Sequence, residues 1–161
     1  MSTDHVPGDS VFARLEEVLP MVNKPIQYVG GEVNAVTKAW DTVDVRWVLM
    51  YPDAYEVGAP NQGVQILYEV LNERDDVLAE RSYAVWPDLE ALMRERGIPQ
   101  FTVDAHRDVR DFDVIGVSFS TELGYTNLLT ALDLARIPLH QSERGNGDPL
   151  VIAGGHAAFN P

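Results

Sequence analysis

The chain has no cysteine in its 161 residues. Within those residues the absence excludes disulfides, thiol nucleophiles, zinc–thiolate sites and any iron–sulfur cluster held by cysteine. Long hydrophobic runs are also missing: no stretch approaches the ~20 apolar residues of a membrane-spanning helix. The start, Met1-Ser2-Thr3-Asp4-His5, lacks the basic flank and apolar core of a secretory signal. A cytoplasmic protein with no membrane partner is the expectation. Positive charge is scarce, since 12 Lys and Arg face 25 Asp and Glu for a formal net charge of -13. A nucleic acid would be repelled unless those cations clustered, and Arg14, Lys24, Lys38, Arg46, Arg74 and Arg94 are scattered. No direct nucleic-acid binding by this domain is expected.

What is present is an ordinary 45% apolar content, enough for one domain with a real core. Val11, Leu15, Val18 and Leu19 mark a short helix stopped by Pro20 and Pro25. Ile26 to Val36 reads as extended, with Gly30-Gly31 as a hairpin turn. Residues 1–44 read as a lead-in packed on a main domain of residues 45–161. That domain opens with the apolar run Val45–Tyr51, a strand covered on both faces. Val64, Leu67, Tyr68 and Leu71 then recur at helical spacing, with Asn61 as the cap. Leu78–Val85 is a more polar strand. Pro87 opens the next helix, with stripe Leu89, Leu92 and Met93, and Gly97 ends it. Gln100–Val103 reads as a short edge strand and Val114–Phe119 as a central one. The following helix carries Tyr125, Leu128, Leu129 and Leu132 on one face, and Leu150–Ala153 is the last strand.

This alternation predicts an α/β fold, an open doubly wound parallel sheet of the cobalamin-binding or flavodoxin-like kind, with strand order 2-1-3-4 and helices on both faces. Such a sheet continues with a further helix and strand, so the chain is expected to be truncated at its C-terminal end and to belong to a longer protein.

Open parallel sheets place ligands beyond the carboxyl ends of their strands. Two of the predicted ends are rich in small residues. Val114-Ile115-Gly116-Val117 runs into Ser118-Phe119-Ser120-Thr121-Glu122-Leu123, and Leu150-Val151-Ile152-Ala153 runs into Gly154-Gly155. The loop Tyr51–Gly63, shaped by Pro52, Gly58, Pro60 and Gly63, lies at the same edge. It has neither Gly-x-Gly-x-x-Gly nor a P-loop Gly-Lys-Ser/Thr, so the common nucleotide fingerprints are absent. Asp104-Ala105-His106 has part of the Asp-x-His-x-x-Gly pattern of cobalamin proteins, but Val109 stands at the glycine position and the segment precedes the wrong strand. It reads as a surface loop. His156 reads as a half-exposed loop histidine.

Taken together, these residues resemble the N-terminal domain of a family of radical S-adenosylmethionine (SAM) proteins that carry a cobalamin-binding-like domain ahead of the radical domain. The similarity runs from about Tyr28 to Pro161. It includes Tyr28-Val29-Gly30-Gly31-Glu32-Val33-Asn34, Tyr51–Gly58, Pro60-Asn61-Gln62-Gly63, Trp86-Pro87-Asp88, Phe112–Gly116, Tyr125-Thr126-Asn127 and Ile152–Gly155 with Phe159-Asn160-Pro161. The resemblance implies a downstream radical SAM domain on the same polypeptide, holding a 4Fe-4S cluster and S-adenosylmethionine through a Cys-x-x-x-Cys-x-x-Cys motif outside this chain. It departs from the family at His156-Ala157, where relatives commonly carry Pro-Cys.

The resemblance leaves two readings open. In the first, the domain binds cobalamin without a lower-axial histidine. Ser118, Ser120 and Thr121 meet the nucleotide tail, and Gly154 and Gly155 allow close approach. Tyr51, Pro52, Glu56, Gly58, Asn61, Gly63 and Leu123 complete the cofactor-binding set. In the second, the pocket is degenerate and the domain is a non-catalytic docking or substrate-recognition module, because Asp53, Glu56 and Glu122 would oppose a phosphate. Flavin binding shares the strand-end geometry but lacks a hydroxyl-rich phosphate loop. No catalytic residue and no metal ligand is assigned within the chain; any enzyme activity belongs to the parent protein.

Overall fold

A computed structural model describes residues 10–159. Four strands form one sheet in the order β2-β1-β3-β4. They are β1 (Val45–Ala54), β2 (Val77–Ala84), β3 (Val114–Ser118) and β4 (Leu150–Gly154), and every pairing is parallel. The helices are α1 (Val11–Val18), the single turn α2 (Tyr55–Gly58), α3 (Gln62–Asn72), α4 (Pro87–Arg96) and α5 (Gly124–Leu134). None among the described residues is long and apolar enough to cross a membrane.

Local chemistry explains the helix ends. Asn61 accepts a hydrogen bond from the Val64 N–H at 3.1 Å, which caps α3. Pro87 sits in the first turn of α4, and Gly97 ends that helix in the left-handed region at φ 65°.

The strand period of two divides the sheet into two faces. Val48, Met50, Ile115 and Val117 point to one, where Ala131 and Leu132 of α5 and Ala135, its C-cap, cover them. α4 extends that layer: its Leu89 and Met93 pack with Leu134 of α5 and with Leu15 and Val18 of α1. On the opposite face Leu49 and Ala79 pack under Val64 and Tyr68 of α3.

Several expectations need correcting. Residues 26–36 form no hairpin: Pro25–Tyr28 is a 3-10 turn and no strand follows before Val45. Gly30 instead lies over the Val103 carbonyl at φ +67°, where a side chain would clash. Gln100–Val103 forms no strand, only an isolated antiparallel bridge from Phe101 to Asp108. It still lies along the free edge of β2, since the Val103 N–H donates to the Arg81 carbonyl at 2.8 Å. That cover buries Glu80, Arg81 and Ser82 despite their polarity and shields an edge open to unwanted pairing. Leu129 is exposed; Ala131 takes the inward position beside Leu132.

Candidate functional site

A groove of about 360 Å³ lies between α3 and the sheet. Parallel register sets its floor: Leu49, Gly116 and Ile152 form one lateral row, and Ser118 pairs with Gly154 in a row nearer the carboxyl ends. Val64, Leu67 and Leu71 of α3 form the near wall. The Trp47 ring lies across Gly116, where a Cβ would come within 3.2 Å of it. Toward β4 the groove opens widely, leaving Leu150 62% and Ile152 42% exposed. Of the lining side chains only the Trp47 indole N–H and the Ser118 hydroxyl are polar, and none is charged.

The predicted site residues divide between this groove and its surroundings. Ser118, Gly154 and Gly155 line the groove. Tyr51, Pro52, Ser120 and Thr121 meet Ser118 instead in a separate polar depression of about 10 Å³, too small for more than a water. There the Tyr51 hydroxyl donates to Ser120 Oγ at 3.0 Å, and Asn127 Nδ2 donates to the Pro52 carbonyl at 3.0 Å. Asp53 also lines this depression.

Other predicted residues have structural work. Glu56 pairs with Lys24. Gly58 lies under two rings, and a Cβ there would come within 2.5 Å of Tyr83 and 2.9 Å of Tyr51. Asn61 is the α3 cap. Gly63 and Leu123 are exposed outside both cavities, as is His156.

The adjacent glycines differ in kind. A Cβ on Gly154 would meet nothing within 4 Å, whereas one on Gly155, at φ +98°, would fall on the Phe119 carbonyl oxygen. Leu67, Gly116 and Ile152 were not assigned to a site from sequence. A glycine inside an apolar strand marks close approach, so Gly116 was the available signal.

Asp104-Ala105-His106 is no surface loop. Asp104 Oδ1 accepts from Arg81 Nη2 at 2.6 Å, and the two side chains are 1% and 5% exposed. Its Oδ2 accepts the Arg81 backbone N–H at 2.6 Å. The Tyr68 ring lies 4.2 Å from the same guanidinium; burial pushes the Tyr68 hydroxyl up to about 12. His106 Nε2 meets the Tyr28 carbonyl at 2.8 Å, and no group of three or more His, Asp or Glu among the described residues could hold a metal.

Burial lowers the His106 pKa below its ordinary 6.5, against the Tyr28 carbonyl and Asp104, which raise it. The folded state therefore binds this proton less readily than the unfolded one. The resulting stability is full above the unfolded value of ~6.5 and lost as pH falls through the folded one. Urea titrations at pH 7 and pH 5 are expected to show a loss that is smaller in His106→Asn, since asparagine tolerates the φ of 53°. An unchanged loss would remove His106 as the cause.

A family model described as "Radical SAM proteins, N-terminal" matches residues 63–161, more than half of the chain. No curated protein and no solved structure matches it.

Proposed function

Because the chain belongs to the family of radical SAM N-terminal domains, we propose that it is the ligand-holding module of a radical SAM protein and that its ligand is cobalamin. One observation carries the reading: Ser118, Gly154 and Gly155, from the ends of two adjacent strands, line the same large groove as Gly116. Small residues there let a flat group approach backbone, and apolar walls exclude water.

The residues fit part of the cofactor well. Leu49, Leu67 and Ile152 suit the apolar base of a nucleotide tail, and the Ser118 hydroxyl supplies a hydrogen bond. No histidine lines the groove, so a protein ligand to cobalt is not among its parts. Bound cobalamin would supply alkyl-transfer or radical chemistry. The chain's own residues would bind, orient and desolvate it. With no cysteine, this chain holds no cysteine-ligated cluster, and the 4Fe-4S cluster and S-adenosylmethionine fall to the C-terminal radical SAM domain that the family's description implies.

A docking role is favoured by a different observation. Ile66 and Val70 on α3 are exposed, as are Leu150 and Ile152 on β4, while Asp53 stands in the depression where a phosphate would lie. Under that reading the radical SAM domain packs on this face.

Visible-absorbance titration with cobalamin separates the two. Saturable binding is expected, weakened at least about tenfold in Gly154→Leu, at a groove-lining position where a Cβ meets no protein atom within 4 Å; a tenfold change corresponds to ~1.4 kcal/mol. Thermal melts should show both proteins folded. No spectral change, with this chain or with the polypeptide that includes its radical SAM domain, would leave docking as the function. Undiminished binding in Gly154→Leu would place the ligand elsewhere.

A further inference from the structure

A second pocket, of about 330 Å³, opens where β2 gives way to α4 and is lined by Asn23, Lys24, Tyr28, Trp86, Pro87 and Asp88. It lies past the carboxyl end of β2, at the ligand-receiving end of an open sheet. Tyr28 and Trp86-Pro87-Asp88, which stand far apart in the sequence, meet here, and none of the six lines the groove.

Its walls are flat and largely apolar: Trp86 is 42% exposed, and Tyr28, only 4% exposed, stands edge-on to Phe101. The Tyr28 hydroxyl accepts the Trp86 backbone N–H at 3.2 Å, and no acceptor among the described residues takes its own proton. Because Tyr28 lines the pocket, this proton can be donated to a bound acceptor. Lys24 lies 5.1 Å from the Trp86 ring centroid and pairs with Glu56, leaving ammonium protons to donate. The Asn23 N–H and Nδ2 both donate to Asp88 Oδ2 at 2.9 Å, while the Asn23 side-chain oxygen receives no donor among the described residues.

Charge narrows the ligand. One ammonium stands against the carboxylates of Glu56 and Asp88, so an anion gains nothing here. A purely apolar ring would leave the Tyr28 proton unpaired. What matches is a neutral planar ring with a carbonyl beside an N–H.

We propose that this pocket binds an oxo-bearing nucleobase, packed against Trp86. Its ring carbonyl accepts from the Tyr28 hydroxyl, and its ring N–H donates to the Asn23 side-chain oxygen. The site is independent of the cobalamin reading and survives its failure.

Uridine offers a ring carbonyl beside an N–H and adenosine does not; because the two also differ in ring size, the Tyr28→Phe variant is what isolates the carbonyl. Each is titrated into the ¹⁵N-labelled chain, following the Trp86 indole cross-peak assigned from Trp86→Phe. Uridine is expected to shift that peak saturably and to bind about tenfold tighter than adenosine. Tyr28→Phe should weaken uridine about tenfold and leave adenosine unchanged; a hydrogen bond of ordinary net strength gives that factor. Should Tyr28→Phe fail to fold, Trp86→Leu, followed by isothermal titration calorimetry because it lacks the reporting indole, must abolish uridine binding instead. Equal affinity for the two nucleosides, no saturable shift, or uridine binding indifferent to the variant used overturns the proposal.

Discussion

Gly155→Ala is expected to destabilise the chain by about 3 kcal/mol, while Gly154→Ala leaves it near wild type. The φ of +98° disfavours any L side chain, and the new methyl would be driven onto the Phe119 carbonyl. Left-handed strain and overpacking each contribute about 1–3 kcal/mol at such sites. The melting temperature should fall by roughly 10 °C. The close approach is part of the fold, since the Phe119 N–H donates to the Gly154 carbonyl at 2.8 Å and joins the two strand ends. Thermal melts of both variants check this. Equal melting temperatures would mean that the strand ends relax apart without cost. The contrast also bears on ligand binding, because Gly154 is the glycine with free space before it.

Asp104→Ala should cost about 3–5 kcal/mol, because it strands a buried guanidinium. Asp104 serves the Arg81 side chain and backbone and also accepts from the Tyr68 hydroxyl at 3.2 Å. Tyr68 in turn accepts the Val36 N–H at 2.7 Å. Loss of the carboxylate therefore loosens β2, α3 and the lead-in together. Urea denaturation should show the midpoint falling sharply for Asp104→Ala. Arg81→Met combined with Asp104→Leu should recover much of it, since an apolar pair leaves no charge unpaired. A double variant no better than Asp104→Ala would show that the pair is needed for more than mutual neutralisation.

The sheet was legible because its signals are local. Val45–Tyr51, Val114–Phe119 and Leu150–Ala153 are apolar runs, and helical stripes with caps at Asn61, Pro87 and Gly97 separate the strands. Right-handed crossovers then leave few strand orders, and 2-1-3-4 is the one found. The candidate site was legible only in outline. Strand-end position picked out Ser118 and Gly154, which do share a cavity. It could not separate them from Ser120 and Thr121, whose loop turns toward Pro52 and Tyr51. Gly30-Gly31 carried a hairpin's composition, but Gly30 answers to the approach of Val103, more than seventy residues away.

By itself, then, the sequence determined the α/β alternation, the parallel sheet and the exclusion of cysteine chemistry. Periodicity, capping and composition act between neighbours along the chain and need no knowledge of the rest. Only the tertiary structure decided that Arg81 and Asp104 are buried, that Gly155 is structural where Gly154 is free, and that Tyr28 faces Trp86. Those outcomes depend on which distant atoms arrive within a few ångströms, and no local pattern encodes that.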